Sequence, residues 1–377
     1  MAALTRPPLR VLVWTAATVA LVLVAALLWR GSDAAATDST TAPPADVPSG
    51  APAGAVSEAW SATGDPVPED PVQEGRVVMG SAHGVRGLDL QTGEEAWSYT
   101  RSNARLCGLT ATDGVAVAVF ATEDRCDEAV ALDAGTGVRA WTRNLSLAGD
   151  AVLDSTTAIV LASNPGGVVT LDPVNDNVRW RSAAPSGCRL LGADTGSTGV
   201  VVLQRCGGDG PVQVRLLDGF AGSEHWHHDL PATDDVELLG ADGAVTVRVG
   251  GEVRTLSGPD GAVLATHPLP EGATDVDQAT AGTVSLLRVG GTVTATDVAS
   301  GAWLWEAAAT GLPVSTVMAE PGAPLLLADA DGVVSRDPAT GAETSRVTTA
   351  ELAPGGSVSV VGPVVLVRSD DRVTGHR

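Results

Sequence analysis

Short apolar runs rich in Val, Leu and Ala alternate with turn signals over most of the chain. The runs at 77–82, 115–121 and 244–249 are typical of buried β-strands. Hairpin dipeptides follow such runs at His83-Gly84, Gly250-Gly251, Gly290-Gly291 and Asp331-Gly332. No stretch after residue 57 keeps a helical period. The pattern therefore predicts an all-β domain.

One unit recurs within this pattern: an apolar strand end, an Asp, a Gly four residues later and a Trp eight residues after the Asp. Its clearest copy is Ala131–Trp141. The last position of the unit falls at Trp97, Trp141, Trp180, Trp226, Ala265, Trp305 and Ser345, so two copies lack the Trp. Successive copies are 39 to 46 residues apart. This period is typical of a propeller blade with four strands.

Each part of the unit has a physical reason. The Asp starts a tight turn and accepts hydrogen bonds from the amides of that turn; these residues are Asp89, Asp133, Asp172, Asp218, Asp297 and Asp337. The Gly supplies a positive φ in the hairpin, at Gly93, Gly137, Gly222, Gly301 and Gly341. Asp176 takes that place in the third copy, since Asp tolerates the left-handed region. We expect the Trp ring to cover the join between two blades.

The unit resembles the tryptophan-docking motif of the pyrroloquinoline quinone (PQQ) propeller repeat, in which Ala-x-Asp is followed after three residues by Gly-Lys and then by Trp. The Lys of that motif is missing from every copy. Families with this repeat include quinoprotein dehydrogenases, the outer-membrane assembly lipoprotein of Gram-negative bacteria, and membrane-anchored actinobacterial proteins. The resemblance implies a PQQ-like β-propeller over the whole soluble part.

The two ends of the repeat array predict how the ring closes. Trp60 precedes Trp97 by 37 residues but has no Asp-turn before it, while 363–377 holds two strands and no further Asp-turn. We expect the N-terminal strand to complete the C-terminal half-blade, which hides the sheet edges of an open array. This gives an eight-bladed propeller. Seven blades is the alternative, if the copy at Ser257–Ala265 joins a neighbouring blade.

Three segments precede the propeller, which is assigned to residues 57–377. Residues 1–10 form a short basic cytoplasmic segment, and residues 11–29 are uncharged and long enough to cross a bilayer. Residues 30–56 are rich in Ala, Thr and Pro and predict a disordered linker that holds the domain off the extracytoplasmic side of the cell membrane. A cleaved leader with a signal-peptidase site at Ala34–Ala36 is the alternative.

Charge and cysteine content narrow the function. A net charge of −22 would repel nucleic acid, so a nucleic-acid partner is excluded. The four cysteines form two pairs of similar spacing, Cys107 with Cys126 and Cys188 with Cys206, each bracketing a hairpin in repeats taken to be neighbours. In an oxidising compartment they predict two disulfides. Four cysteines allow three pairings, and local pairing is chosen on spacing.

The candidates for metal chemistry are few. His225, His227 and His228 form the one histidine cluster, and in a strand His228 shares a face with Trp226 while the other two share the opposite face. The sequence places no acidic or Cys ligand beside them, so a solvated strand edge is the preferred interpretation. The segment 329–332 resembles the start of a calcium loop but lacks the Glu at loop position twelve, so a hairpin is preferred.

The function expected is a non-catalytic binding or scaffolding propeller tethered to the cell membrane. Its partner would be an envelope protein or a small ligand, and the resemblance implies a role in envelope protein assembly or sensing. No cofactor, metal or catalytic residue is assigned, and a monomer is expected. The alternative is a small PQQ-dependent oxidoreductase, which needs a quinone, a calcium ion and a carboxylate base; the chain is barely longer than eight bare blades.

Overall fold

A computed structural model describes residues 8–377 except 69, 123–124, 148, 150, 209, 232, 234, 316–322, 350–351 and 353–355. Helix α1 (Leu9–Arg30) includes the apolar segment 11–29 and is exposed at every residue. Its 22 residues span about 33 Å at 1.5 Å per residue, which matches the hydrocarbon core of a bilayer. The helix is therefore long and apolar enough to cross a membrane.

A one-turn helix and two strands follow α1, before the blades begin: α2 (Asp33–Ala36), β1 (Thr37–Thr40) and β2 (Glu58–Thr63). Blade 1 contains β3 (Asp65–Pro66), β4 (Val72–Gln73), β5 (Arg76–Ser81), β6 (Gly84–Asp89) and β7 (Glu95–Arg101). Blade 2 contains β8 (Leu106–Thr112), β9 (Val115–Thr122), β10 (Arg125–Asp133) and β11 (Arg139–Asn144). Blade 3 contains β12 (Val152–Thr156), β13 (Ile159–Asn164), β14 (Gly167–Leu171) and β15 (Val178–Ala183).

The next blades repeat this arrangement. Blade 4 contains β16 (Cys188–Gly196), β17 (Gly199–Cys206), β18 (Val212–Leu217) and β19 (Glu224–Asp229). Blade 5 contains β20 (Val236–Gly240), β21 (Ala244–Val249), β22 (Glu252–Ser257) and β23 (Val263–Pro268). Blade 6 contains β24 (Val276–Ala281), β25 (Val284–Val289), β26 (Thr292–Asp297) and β27 (Trp303–Ala308).

The last two blades adjoin the ring closure. The short strand β28 (Leu312–Pro313) precedes blade 7, whose described strands are β29 (Leu325–Asp329), β30 (Gly332–Arg336) and β31 (Glu343–Thr348). Blade 8 contains β32 (Ser357–Val361), β33 (Val364–Ser369) and β34 (Arg372–His376), joined by β2. Neighbouring strands within each blade pair antiparallel and follow chain order, except that β3 and β4 of blade 1 both pair with β5. Strand β28 pairs parallel with β32.

The eight sheets confirm the eight-bladed propeller. The copy at Ser257–Ala265 belongs to a four-stranded blade of its own, blade 5, which removes the seven-bladed alternative. The predicted closure is also confirmed, because β2 pairs with β34 from Glu58 opposite His376 to Thr63 opposite Arg372. The ring is thus closed by hydrogen bonds between the two ends of the domain.

The hydrophobic core lies between the blades. Val78 and Val85 of blade 1 pack in one cluster with Ala116 and Phe120 of blade 2. Equivalent clusters join blades 2 and 3, 4 and 5, 6 and 7, 7 and 8, and 8 and 1. Each blade therefore buries apolar side chains on both faces, mainly of Val, Leu and Ala, as expected from a chain with only 3% aromatic residues.

The linker differs from its prediction. Within the segment expected to be disordered, β1 pairs antiparallel with β7 and becomes the outermost strand of blade 1. Further along, Ala42 N donates to Thr136 O of blade 2, and Val56 N donates to Thr348 O of blade 7. The prediction of a disordered tether over the whole of 30–56 is therefore wrong. It relied on the lack of apolar residues in this stretch, but backbone hydrogen bonds hold the stretch without them.

Candidate functional site

The repeated Trp residues each join their own blade to the next, as the motif predicts. The indole Nε1 of Trp97 donates to Ala134 O at 2.8 Å, and that of Trp305 donates to Pro338 O at 2.8 Å. The same bond is made by Trp60, Trp141, Trp180 and Trp226, to Leu90, Pro173, Gly219 and Gly258 respectively. The acceptor directly follows the first residue of the next blade's turn, so every bond crosses a blade junction.

The turn beneath each Trp has the predicted geometry. Asp89 Oδ1 accepts from Gln91 N and Thr92 N, both at 3.0 Å, and the other motif aspartates accept from their own turns in the same way. Gly93 has φ of 70°, and a Cβ added there would lie 2.7 Å from the Trp60 ring. Asp176 holds the equivalent position with φ of 55°. The glycines are needed both for the left-handed backbone and for space under the indole.

The two copies without Trp have different physical explanations. At Ala265 the strand itself closes the gap, because a Cβ on Gly301 of the next blade would lie 2.8 Å from the carbonyl carbon of Leu264. Ser345 faces blade 8, where the turn is replaced by the meeting of the two chain ends, and Arg377 N donates to Ser57 O at 3.0 Å. A Trp at 345 would have no Asp-turn to dock on.

Both disulfides form with local pairing, Cys107 with Cys126 and Cys188 with Cys206. Their placement corrects one expectation, because they lie in blades 2 and 4, which are not neighbours. Cys188 and Cys206 are direct partners on β16 and β17, whereas Cys107 on β8 reaches Cys126 on β10, which lies opposite Ala121 near the end of β9. Each disulfide thus lies within one blade, and neither crosses a blade junction.

The histidine cluster is used in local contacts. His228 packs on Trp226 with ring centroids 5.4 Å apart, as the strand alternation predicts, and its Nε2 lies 3.1 Å from Asp260 O. His227 Nδ1 lies 2.7 Å from Glu224 Oε1, and His225 lies 3.6 Å from Asp218. Within the described residues no three His, Cys, Asp or Glu side chains come together as metal ligands. In the hairpin at 329–332, both aspartates pair with Arg346.

The central channel contains a cavity of about 320 Å³. Innermost strands of blades 4, 5, 6 and 8 line it together with β28. Its charged lining residues are Asp194, Glu237, Asp242, Asp277 and Arg368, and no aromatic ring is among the described lining residues. Neighbouring arginines hold two of these carboxylates: Arg288 pairs with Asp277, and Arg248 approaches Glu237 at 3.9 Å.

Among the acidic residues of this cavity, Asp242 has a carboxyl group with a shifted pKa. Burial raises the pKa of its carboxyl, and the nearby charge of Asp154 adds to that rise, although a hydrogen bond from Ser197 N opposes it. The Ser197 amide lies 2.9 Å from Asp242 Oδ1, and Thr195 N donates to Asp154 Oδ2 at 2.6 Å. This part of the channel wall is therefore acidic, and its carboxylates accept hydrogen bonds from backbone amides.

The cavity does not fit the quinone that the repeat family implies. PQQ is a flat tricarboxylate, so its site needs cationic partners and a flat apolar face on which to stack. Here the described lining offers one arginine against four carboxylates, and no aromatic ring. Like charges would repel the ligand in this confined space.

Exposed apolar residues follow the rim of the ring. Of the large apolar side chains exposed outside α1, one lies in or just after the turn between the third and fourth strands of each of blades 2 to 6: Val138, Val174, Phe220, Val263 and Trp303. We call these the turn-rim residues. Phe220 sits over the guanidinium of Arg179 at 4.8 Å, and Trp303 is 64% exposed. The motif comparison missed them because it follows only the Asp, Gly and docked Trp positions.

Comparisons with known proteins agree with this architecture. A protein-family model described as outer membrane protein assembly factor BamB matches residues 27–197, 125–286 and 165–329. BamB from Moraxella catarrhalis has a similar structure, with a TM-score of 0.51 and 20% identity over 85% of this chain and 99% of that one. A search of curated proteins finds no match.

Two further solved structures are similar. The computationally designed protein Ika8 has a TM-score of 0.54 and 16% identity, over 85% of this chain and 98% of its own. The quinohemoprotein alcohol dehydrogenase from Comamonas testosteroni has a TM-score of 0.51 and 12% identity, over 85% of this chain and 76% of its own. At such identities the likeness shows a shared fold.

Proposed function

Since the chain belongs to the family of the outer membrane protein assembly factor BamB, we propose that it is a non-catalytic scaffold for envelope proteins. Helix α1 displays this scaffold on the extracytoplasmic side of the membrane. The observation that carries the proposal is the central cavity, whose acidic, ring-free lining suits neither a quinone nor another planar anion. The outer surface is then the part of the propeller left for binding.

The turn-rim residues supply the contact surface in this proposal. Trp and Phe are over-represented among the side chains that dominate binding energies at protein interfaces. Phe220 is held by its contact with the guanidinium of Arg179, so little of its side-chain freedom is lost when a partner covers it. The net charge of −22 favours a partner segment with basic residues beside its apolar ones, because opposite charges speed the encounter.

Site-specific photo-crosslinking in intact membranes tests this surface. A photoreactive residue placed at Trp303 should crosslink to one or a few defined envelope proteins. The matched control places it at Val152, which is equally exposed at 65% but lies at the start of β12, away from the rim. Crosslinks of equal yield and pattern at both positions, or at neither, would contradict the proposed surface.

A titration tests the quinone-dependent alternative independently. The exported, oxidised protein is mixed with PQQ and Ca²⁺, and absorbance and Tm are followed. A ligand bound only to the folded state would raise Tm. We expect no saturable signal, because the cavity lining is acidic and has no aromatic ring among the described residues. Saturable binding with a higher Tm would replace the scaffold by the oxidoreductase alternative and call for alcohol and sugar assays.

A further inference from the structure

The residues directly after helix α1 are built into blade 1. Asp33 pairs with Arg101 at 2.9 Å, and its Oδ1 accepts from Asn103 Nδ2 at 2.8 Å. At the other end of α2, Ala36 O accepts from both Ser102 N at 2.9 Å and Ser102 Oγ at 3.1 Å. Three consecutive residues, 101–103, therefore hold both ends of α2. We call them the socket.

The arginine of the socket is buried and contacts blade 2. Arg101 is only 2% exposed, lies 5.9 Å from the Phe120 ring and makes a second ion pair with Glu128 of blade 2 at 3.0 Å. The segment it holds then continues as β1, where Ser98 N donates to Thr40 Oγ1 at 2.8 Å. The contact is thus anchored in the buried junction of blades 1 and 2.

The connection between α1 and the socket is short and structured. Only Gly31 and Ser32 separate Arg30 from Asp33, so the chain covers at most about 10 Å between them. Ser32 bridges the two helices, because its hydroxyl donates to Trp29 O at 2.6 Å and accepts from Ala35 N at 3.4 Å. A membrane-crossing α1 therefore leaves no slack between the bilayer surface and blade 1.

These contacts discriminate between an anchor and a cleaved leader. Cleavage within or after Ala34–Ala36 would cut or free the segment whose two ends the socket binds, and would remove Asp33 from the nearly buried Arg101. A segment removed in maturation has no need of partners in the mature fold. Here the polar groups at both ends of α2 are partnered by the domain.

We propose that α1 is retained, and that the socket docks blade 1 directly against the outer surface of the membrane, so that the propeller has a fixed orientation. This rests on the proposed membrane display. A domain of this size is roughly 40–50 Å across, so blades 4 to 6 stand well clear of the bilayer. Phe220, Val263 and Trp303 lie on those blades and face the compartment, where a partner reaches them.

The test uses the full-length chain in lipid nanodiscs. Among the described residues all cysteines are disulfide-bonded, so one added cysteine gives one label. Ala82→Cys lies beside the socket, in the turn where Leu106 N binds Ala82 O, and Gly251→Cys is the equivalent turn in blade 5, where an added Cβ meets nothing within 4 Å. Headgroup nitroxides should quench a fluorophore at 82 several-fold more than one at 251.

Two variants tie that difference to the socket. The double variant Asp33→Ala with Asn103→Ala should bring the quenching at 82 down towards that at 251. The control Asp38→Ala removes the same charge from the exposed side of β1 and should leave the difference unchanged. Equal quenching at 82 and 251 in the parent chain, or a socket variant that behaves like the control, would overturn the docking.

Intact mass of the membrane-extracted protein completes the test. A mass that includes α1 supports retention, and a mature chain starting near Thr37 overturns it. A chain released from the membrane would also remove the membrane display proposed above. A membrane-bound, intact chain with equal quenching at both positions refutes the docking alone, and the crosslinking at Trp303 judges the scaffold function separately.

Discussion

Two tryptophans on one strand allow a sharp test of the docking interaction. Trp305 and Trp303 both lie on β27, but Trp305 is 4% exposed and docks on blade 7, whereas Trp303 is 64% exposed. The perturbation is Trp305→Ala, with Trp303→Ala as the matched control and Trp305→Phe as the intermediate. The control removes the same side chain from the same strand without touching a blade junction.

The magnitude follows from the contacts of Trp305. A buried Trp side chain removes about 150–250 Å² from water, or about 4–6 kcal/mol at 25 cal/mol per Å². Partial collapse of the cavity brings the expected loss of unfolding free energy to about 3–5 kcal/mol. The gap closed by strand backbone at Ala265 shows that a junction can relax in this way. Trp305→Phe keeps most of the ring but leaves Pro338 O without its donor, which costs roughly 1–3 kcal/mol.

Urea unfolding followed by far-ultraviolet circular dichroism is the suitable assay, because removing a Trp alters fluorescence by itself. Trp303→Ala should stay within about 0.5 kcal/mol of the parent. The order of unfolding midpoints should be parent and Trp303→Ala together, then Trp305→Phe, then Trp305→Ala. If Trp305→Ala unfolds within about 1 kcal/mol of Trp303→Ala, the indole does not hold the blades together and the reasoning is wrong.

Three further predictions concern the disulfides and the pH response. Replacing Cys107 and Cys126 by Ser should cost about 3 kcal/mol in urea unfolding, from the entropy of a loop of 19 residues; an unchanged midpoint would contradict this. Burial lowers the pKa of His376 in the folded state. As the pH falls below the ordinary His pKa of 6.5, the unfolded chain binds a proton that the folded chain does not, so stability should fall from pH 7 to 5. His376→Gln should flatten this slope. Burial raises the pKa of Asp242, which penalises its charge in the fold above that pKa, and Asp242→Asn should raise the urea midpoint at pH 7.

The sequence predicts the ring well because the motif recurs at a regular spacing along the chain. The regular return of the Asp-turn locates each outer strand, and Trp60 could be assigned to the last blade because its distance from Trp97 is close to one repeat. Strand alternation likewise placed His228 on the same face as Trp226. These features depend on neighbours along the chain, so local pattern is enough.

The features that were missed depend on contacts between distant segments. The strand Thr37–Thr40 has no apolar residue, and its pairing with β7 comes from backbone hydrogen bonds and from the socket rather than from burial. The acidic wall of the channel combines Asp194, Asp242 and Asp277 from three blades, and no spacing in the sequence connects them. The exposure of Trp303 was missed for a local reason: strand alternation alone would place it on the same face as Trp305, but the register of β27 shifts between the two residues.

The ring closure described above also sets the order of events when the domain is made. Strand β2 pairs with β34, although the two are separated by more than 300 residues, so β2 must wait for a strand that is synthesised much later. At about 5–20 residues per second this interval is roughly 15–60 s, during which the edge of β2 has no partner. The contacts of Thr37–Thr40 with β7 can form as soon as blade 1 is complete. Early docking of this strand would keep β2 beside the place where β34 later arrives, and so shorten the search that closes the ring.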